Sequence, residues 1–254
     1  MNILFIMNGI GSVEGLPGIS GGDVRWIEIA KHWQREGYNI HVFTPEAGRK
    51  LCDRLGLEAT FHIFQVPNEY SLKTYLLRFF KSRLIPETLN NYQGIIYSTT
   101  EHSYDVFPAV KIKKKNTWVA VVHWVAPLKR KGTSWLNSFL FFFNQRLGFR
   151  YIKNGADIVL AISKNTAEQA KRIGIKKNVF PVGAGVDLKG IREIVAKVQI
   201  KEYDAVFMKR FDGTKGVFDI IEVWKEVVKT KHEAKLRMIG LGTKKIMDRL
   251  SRMV

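Results

Sequence analysis

Nine short apolar runs, near residues 2–7, 39–44, 61–66, 94–98, 117–122, 157–162, 178–182, 204–208 and 235–239, read as strands, and helices occupy much of what lies between them. Strands that alternate with helices build βαβ units, whose right-handed crossovers make the sheet parallel. The first such unit opens the chain. MNILFIMN reads as a buried strand and GIGSVEGLPGISGG as a Gly-rich loop. A helix then begins near Asp23, with Ile27, Ala30 and Trp33 at helical spacing, and GYNIHVFTP returns as the next strand. A sheet of this kind takes its ligands at the C-terminal strand ends, so the loops that follow strands are where chemistry is expected.

A second unit of the same type spans residues 203–228, YDAVFMKRFDGTKGVFDIIEVWKEVV. Lys215 stands just ahead of Gly216, where the first N–H groups of the following helix lack intrahelical partners and the helix dipole adds partial positive charge. Arg210 lies five residues earlier at the strand end, so two permanent cations could flank one diphosphate. The same residues also read as solvated loop charges. Gly21 and Gly22, which close the first Gly-rich loop, read either as a plain tight turn or as a place where backbone approaches a phosphate closely.

With 46% hydrophobic and 25% charged residues over 254 positions, the chain has the composition of a globular protein with a proper core. One cysteine, Cys52, excludes an intramolecular disulfide framework and a Cys-cluster metal site. No run approaches the roughly 18 apolar residues of a membrane-spanning helix, and the N-terminal apolar stretch has no basic flank of the signal-peptide kind, so a cytoplasmic location is expected. The formal net charge of +18 is concentrated: residues 1–100 carry +1, residues 101–200 carry +12, and residues 201–254 carry +5. Lys111 to Lys115 read as a solvated helix end. Lys129, Arg130 and Lys131 precede an aromatic stretch in which Trp135, Phe139, Phe142 and Phe143 could share a helical face, either packed in the core or set against an anionic membrane surface. EYSLKTYLLRFFKSRL, residues 69–84, is a weaker echo of that pattern.

The segments SGGDVRWIEIAKHWQREGYNIHVFTP, VVHWVAPL, GADIVLAISKNTAEQAKRIGIKKNVFPVGAGVD, FMKRFDGTKGVFDII and LRMIGLGT occur in the order in which a family 4 glycosyltransferase carries its motifs, and the chain resembles that family over almost its whole length. The resemblance implies an α/β fold of the GT-B type: a Rossmann-like N-terminal domain with a parallel sheet, here residues 1–195, and the first part of a second Rossmann-like domain, residues 196–254. It implies retaining transfer of a sugar from a nucleoside diphosphate sugar to a glycan or lipid-linked acceptor, with no cofactor. Gly21, Gly22, Arg210, Lys215, Gly216, Gly240 and Gly242 match positions that hold the donor and its phosphates, and His123, at the end of TWVAVV, matches a histidine kept near the reacting sugar. Ser163 and Asp187 mark the family's inter-domain segments, although Ser163 also reads simply as the N-cap of the next helix. The chain has no Asp-x-Asp pair, in keeping with a donor site that needs no metal.

The departure from the family is at the C-terminal end, where its paired glutamates, separated by seven residues, have no counterpart after IGLGT. That absence keeps open a non-catalytic or split-enzyme subunit, completed by a second chain, alongside the enzyme. A dinucleotide-dependent oxidoreductase would use Gly9, Gly11 and Gly15, but their spacing is GxGxxxG rather than the usual GxGxxG. The basic charge alone suggests a nucleic-acid binder, yet no recognition motif accompanies it, so no nucleic-acid partner is expected.

Overall fold

The computed structural model describes residues 1–10, 12–13, 16–17, 20–67, 71–130, 134–176, 178–186, 188–195, 202–211 and 213–253. They fall into two compact units, one made of Met1–Leu128 and Phe139–Gly185, the other of Lys129–Ser138 and Val186–Val254.

The elements of the first unit follow in chain order: β1 (Asn2–Ile6), the two-residue strands β2 (Ser12–Val13) and β3 (Leu16–Pro17), α1 (Gly21–Arg35), β4 (Asn39–Thr44), α2 (Glu46–Arg54), β5 (Thr60–Ile63), α3 (Leu72–Lys81), β6 (Ile95–Ser98), α4 (Ser103–Lys113), β7 (Thr117–Val122), α5 (Trp135–Gly155, of which Phe139 onward belongs to this unit), β8 (Ile158–Ala161), α6 (Lys164–Arg172) and β9 (Val179–Pro181). Seven strands form one parallel sheet in the order β5-β4-β1-β6-β7-β8-β9. The chain winds outward from β1 through β4 to β5, then crosses back and winds the other way from β6 to β9. The direction therefore reverses between β1 and β6, and a doubly wound sheet opens a crevice at such a reversal.

Both faces of the sheet are covered, which is why its strands read as nearly continuous apolar runs. Leu4 and Ile6 pack with Ile96, Trp118, Ala120 and Val122 under α4, α5 and α6. Ile3 and Phe5 turn the other way, with Val42, Tyr97, Val119 and Val121, under α1 and α2. β5 stops earlier than its apolar run suggests, because its partner β4 ends at Thr44, which lies opposite Ile63. Cys52 is buried on the α2 side, and burial pushes its thiol up to about 12, so it stays an unreactive thiol.

Helix α5 corrects one of the two readings of the aromatic stretch. Trp135, Phe139 and Phe143 are 63%, 40% and 53% exposed, so they do not form a core face. Buried instead are Asn144, Gln145, Gly148, Phe149 and Ile152. The physical reason is close approach: a Cβ on Gly148 would lie 1.9 Å from the carbonyl oxygen of Glu101, so the helix rests directly on the loop after β6 at this point.

That loop is also held from below. Asp105, in the first turn of α4, accepts from the Asn8 N–H at 2.6 Å and from the Thr100 hydroxyl at 2.5 Å. One buried carboxyl thus joins the segments that leave β1 and β6, on either side of the reversal. Burial pushes its pKa up to about 8, the Thr100 and Asn8 hydrogen bonds pull it down, and nearby Asp23 and Glu101 raise it further.

In the second unit, α7 (Leu188–Val195) precedes β10 (Ala205–Met208), α8 (Val217–Thr230), β11 (Leu236–Ile239) and α9 (Lys244–Ser251). β10 and β11 pair in parallel, and Phe207 and Met238 pack with Val217, Ile221 and Leu250 from the two helices. The opposite side of this two-stranded sheet is open: Val206 is 58% and Met208 72% exposed.

Two measurements follow from this packing. At an ordinary helix position Gly→Ala would stabilise by up to about 1 kcal/mol; at Gly148 overpacking against backbone wins, and Gly148→Ala is expected to destabilise by about 1–3 kcal/mol in urea unfolding. A stabilised variant would show that α5 does not rest on the Glu101 carbonyl. For Asp105, the folded pKa is raised above its unfolded value, so its contribution is fully present below about pH 4 and is lost as pH rises through about 8. Asp105→Asn keeps one acceptor and one donor in place of the protonated acid. Its stability is expected to fall less than that of the wild type between pH 4 and pH 8; parallel curves would remove Asp105 as the source.

Candidate functional site

The N-terminus of α1 is built by a capping box. The Ser20 hydroxyl accepts from the Asp23 N–H at 3.2 Å, and the Asp23 carboxylate accepts from the Ser20 N–H at 2.9 Å. The cap starts the helix at Gly21, ahead of the expected start near Asp23, so Gly21 and Gly22 belong to the first helical turn rather than to the preceding loop. Gly21 faces open space. Gly22 faces His123: a Cβ there would sit 3.0 Å from His123 Cε1.

His123 leaves the C-terminal end of β7, and two groups from the β6 side hold it, one of them braced by α5. Its N–H donates to Glu101 Oε2 at 3.0 Å. Its Nε2 lies 2.9 Å from the Thr99 carbonyl oxygen. A carbonyl only accepts, so Nε2 carries a proton in either state of the ring, and whenever the ring is neutral its lone pair is on Nδ1. Glu101 is buried, and its other oxygen accepts from Gln145 Nε2 at 2.7 Å. Gln145 in turn accepts from the Ala126 N–H at 2.8 Å and donates to the Trp124 carbonyl at 3.0 Å, which anchors the segment following His123. Asp23 lies close enough to His123 to feel its charge. Burial raises the Asp23 pKa, while hydrogen bonding with Ser20 and the His123 ring oppose the rise.

Thr99, Glu101, Asp105 and Gln145 escaped the motif-based reading. The signal that points to three of them is the polar run STTEHSYD directly after an apolar strand, where a parallel sheet places its chemistry. Gln145 carries no such signal, because its partner is 44 positions away.

The positions expected to hold phosphate lie in the second unit. Gly216 is the N-cap of α8 with φ of +76°, a left-handed conformation that favours glycine, and no side chain caps the helix. Lys215 precedes it in a single 3₁₀ turn, Gly213–Lys215, and both Lys215 and Arg210 are exposed. This is a helix N-terminus open to an anion, with Asp219 in its first turn as the opposing charge. Gly240 and Gly242 have a packing requirement of their own. A Cβ on Gly240 would meet the Lys209 carbonyl oxygen at 1.9 Å, and one on Gly242 would meet the Phe211 carbonyl oxygen at 2.9 Å, because the ends of β10 and β11 run close together.

Ser163 is the N-cap of α6, its hydroxyl accepting from the Thr166 N–H at 3.0 Å. Asp187 and Lys131 lie outside the described residues, as do Gly11 and Gly15 of the GxGxxxG pattern. Gly9 of that pattern packs against the Tyr104 ring, which a Cβ would strike at 2.6 Å. Among the described residues no three or more His, Cys, Asp or Glu side chains are grouped to hold a metal. An open groove lined by Gln34, Tyr38, His41, Glu58 and Thr60 lies at the N-terminal ends of β4 and β5, away from the strand ends where this kind of sheet binds ligands.

Solved structures resemble this chain in fold. HepE of Anabaena in complex with UDP and glucose superposes with a TM-score of 0.56 at 16% identity, covering 95% of this chain and 69% of HepE. A TarM variant of S. aureus, in complex with fondaparinux, alpha-GlcNAc-glycerol and UDP, gives 0.61 at 9% identity, covering 99% and 74%. A putative UDP-N-acetylglucosamine 2-epimerase of Listeria monocytogenes gives 0.63 at 10% identity, covering 99% and 66%. These likenesses show the fold, α/β of the GT-B type with Rossmann-like units. No curated protein matches the chain in sequence. The model of the family described as Glycosyltransferase Family 4 matches residues 19–189, well over half of the chain and the whole stretch that carries Gly22, Glu101, Gln145 and His123, and the protein belongs to that family.

Proposed function

We propose that this protein works in the transfer of a sugar, with retained configuration, from a nucleoside diphosphate sugar to an acceptor. The observation that carries the reading is the network that holds His123 against Gly22 at the C-terminal strand ends, in a chain of this family. With Nε2 committed to Thr99, Nδ1 is left to accept from a sugar hydroxyl, so His123 orients the donor sugar rather than attacking it. As the glycosidic bond breaks, negative charge builds on the departing diphosphate. Arg210, Lys215 and the uncapped amides of α8 stabilise that charge without a metal or cofactor.

UDP is the natural probe, because it is bound in the HepE and TarM structures. The acceptor belongs to the first unit, and the basic, aromatic segment 129–153 suits one presented at an anionic membrane face. The open side of β10 and β11 favours a second reading, a subunit whose donor unit is covered and completed by another polypeptide. Transfer from UDP-glucose would then appear only when that polypeptide is supplied.

Calorimetry with UDP tests the phosphate site. Arg210→Ala and Lys215→Ala are each expected to weaken UDP by about tenfold, the effect of losing one charge-assisted hydrogen bond. Affinity equal to that of the wild type in both would take these residues out of the site. His123→Ala is expected to leave UDP affinity within about twofold and to weaken UDP-glucose about fivefold, since only the sugar meets the ring. Equal loss for both ligands would assign His123 a structural role.

A further inference from the structure

Helix α3 is inside out. Its buried face is polar, with Thr74, Arg78 and Ser82 at every fourth residue, each less than 5% exposed. Its outward face is apolar, with Leu72, Leu76 and Phe80 at the same spacing and 48%, 41% and 60% exposed; Leu84 follows just beyond the helix at 69%. The polar side is occupied: Arg78 donates to the Gly9 carbonyl, at 3.2 Å, and so holds the segment that leaves β1. The aliphatic and aromatic side chains are consequently left facing outward.

Helix α5 repeats the inversion. Asn144 accepts from the Ser103 N–H and hydroxyl, and Gln145 serves Glu101, while Phe139 and Phe143 of the same helix point outward. The Tyr75 hydroxyl of α3 donates to the Leu140 carbonyl of α5 at 3.0 Å, so the two outward rows belong to neighbouring elements of one unit. Charge on these elements has one sign. No acidic residue occurs between Glu69 and Glu87, a stretch with Lys73, Lys81 and Arg83, and none occurs between Asp105 and Asp157.

We propose that the outward face of α3, with the adjoining Phe139 and Phe143 of α5, docks the first unit on an anionic lipid bilayer. The proposal rests on the reading of a membrane-borne acceptor and names the surface that meets the membrane. Leu72, Leu76, Phe80 and Leu84 enter the boundary between headgroups and acyl chains, and Lys73 and Lys81 lie at the level of the phosphates. The contact is interfacial: among the described residues no helix is long and apolar enough to cross a membrane. Charge complementarity selects the occupant. A second copy would bring the same acid-free cationic face against itself, and a nucleic acid would leave the leucine row unmatched.

The test is co-sedimentation of the full chain with phosphatidylcholine vesicles, with and without phosphatidylglycerol. Binding is expected only where phosphatidylglycerol is present and is expected to weaken with salt, because the attraction is screened over about 8 Å at physiological ionic strength. Leu76→Ser/Phe80→Ser is expected to lower partitioning about tenfold or more. Lys73→Gln/Lys81→Gln is expected to lower it about fivefold per charge removed. Unfolding midpoints equal to that of the wild type exclude misfolding as the cause. Equal binding to neutral vesicles, no binding to either kind, or full binding by the Leu76/Phe80 double variant would each overturn the proposal. So would a dimer that Phe80→Ser dissolves, since that gives the face to a second copy. UDP affinity of the same variants separates the two readings: its absence in the wild type with vesicle binding intact sinks the donor site and spares this surface.

Discussion

The carboxyl of Asp105 sits where the winding of the sheet reverses, and the arrangement above it depends on what that carboxyl holds. By accepting from Asn8 and Thr100 it ties the exit of β1 to the exit of β6. Thr99 and Glu101 flank Thr100, and they are the two residues that receive His123. A buried acid with two donors has little freedom to move, since leaving either donor unpaired in the interior costs about 1–3 kcal/mol. The functional end of the sheet is therefore held by a polar network laid into an apolar core.

The same network explains the exposed apolar surfaces. Asn144 and Gln145 are drawn inward by the loop after β6, and Arg78 by the loop after β1, so α3 and the middle of α5 spend their inner faces on polar contacts. A helix has only one inner face. Leucines and phenylalanines that would usually build a core are turned outward on both helices, and that surface exists because the site beneath it is polar. The second unit is the reverse case, with an ordinary small apolar core under α8 and α9 and its phosphate-binding candidates at the ends of β10 and α8.

The glycines show how unevenly function is written into residues. Gly216 takes a left-handed φ at a helix start open to an anion, so its conformation and its expected role coincide. Gly240 and Gly242 are required where they stand by the approach of two strand ends, whether or not a nucleotide binds. Gly22 is small because His123 is beside it, and Gly148 because a carbonyl is beneath it. All five look alike in a sequence.

Local pattern was enough for the α/β class, for all nine strands of the two parallel sheets, for the cap at Ser163 and for the helix start at Gly216, because strand and helix periodicity and capping are properties of neighbouring residues. His123 was also legible, as the polar residue that ends an apolar strand in a chain resembling a known family. The partners that fix its ring were not. The Thr99 carbonyl reaches the ring across 24 positions, Glu101 takes the His123 N–H across 22, and Gln145 reaches Glu101 across 44, and nothing in these neighbourhoods announces the pairings. Nor does periodicity say which face of α5 turns inward: hydrophobicity predicts the aromatic side, and the structure buries the other. Tertiary structure decided that question because the buried hydrogen bonds of Glu101 and Ser103, and the Glu101 carbonyl that leaves no room for a Cβ at Gly148, need the polar side of the helix underneath.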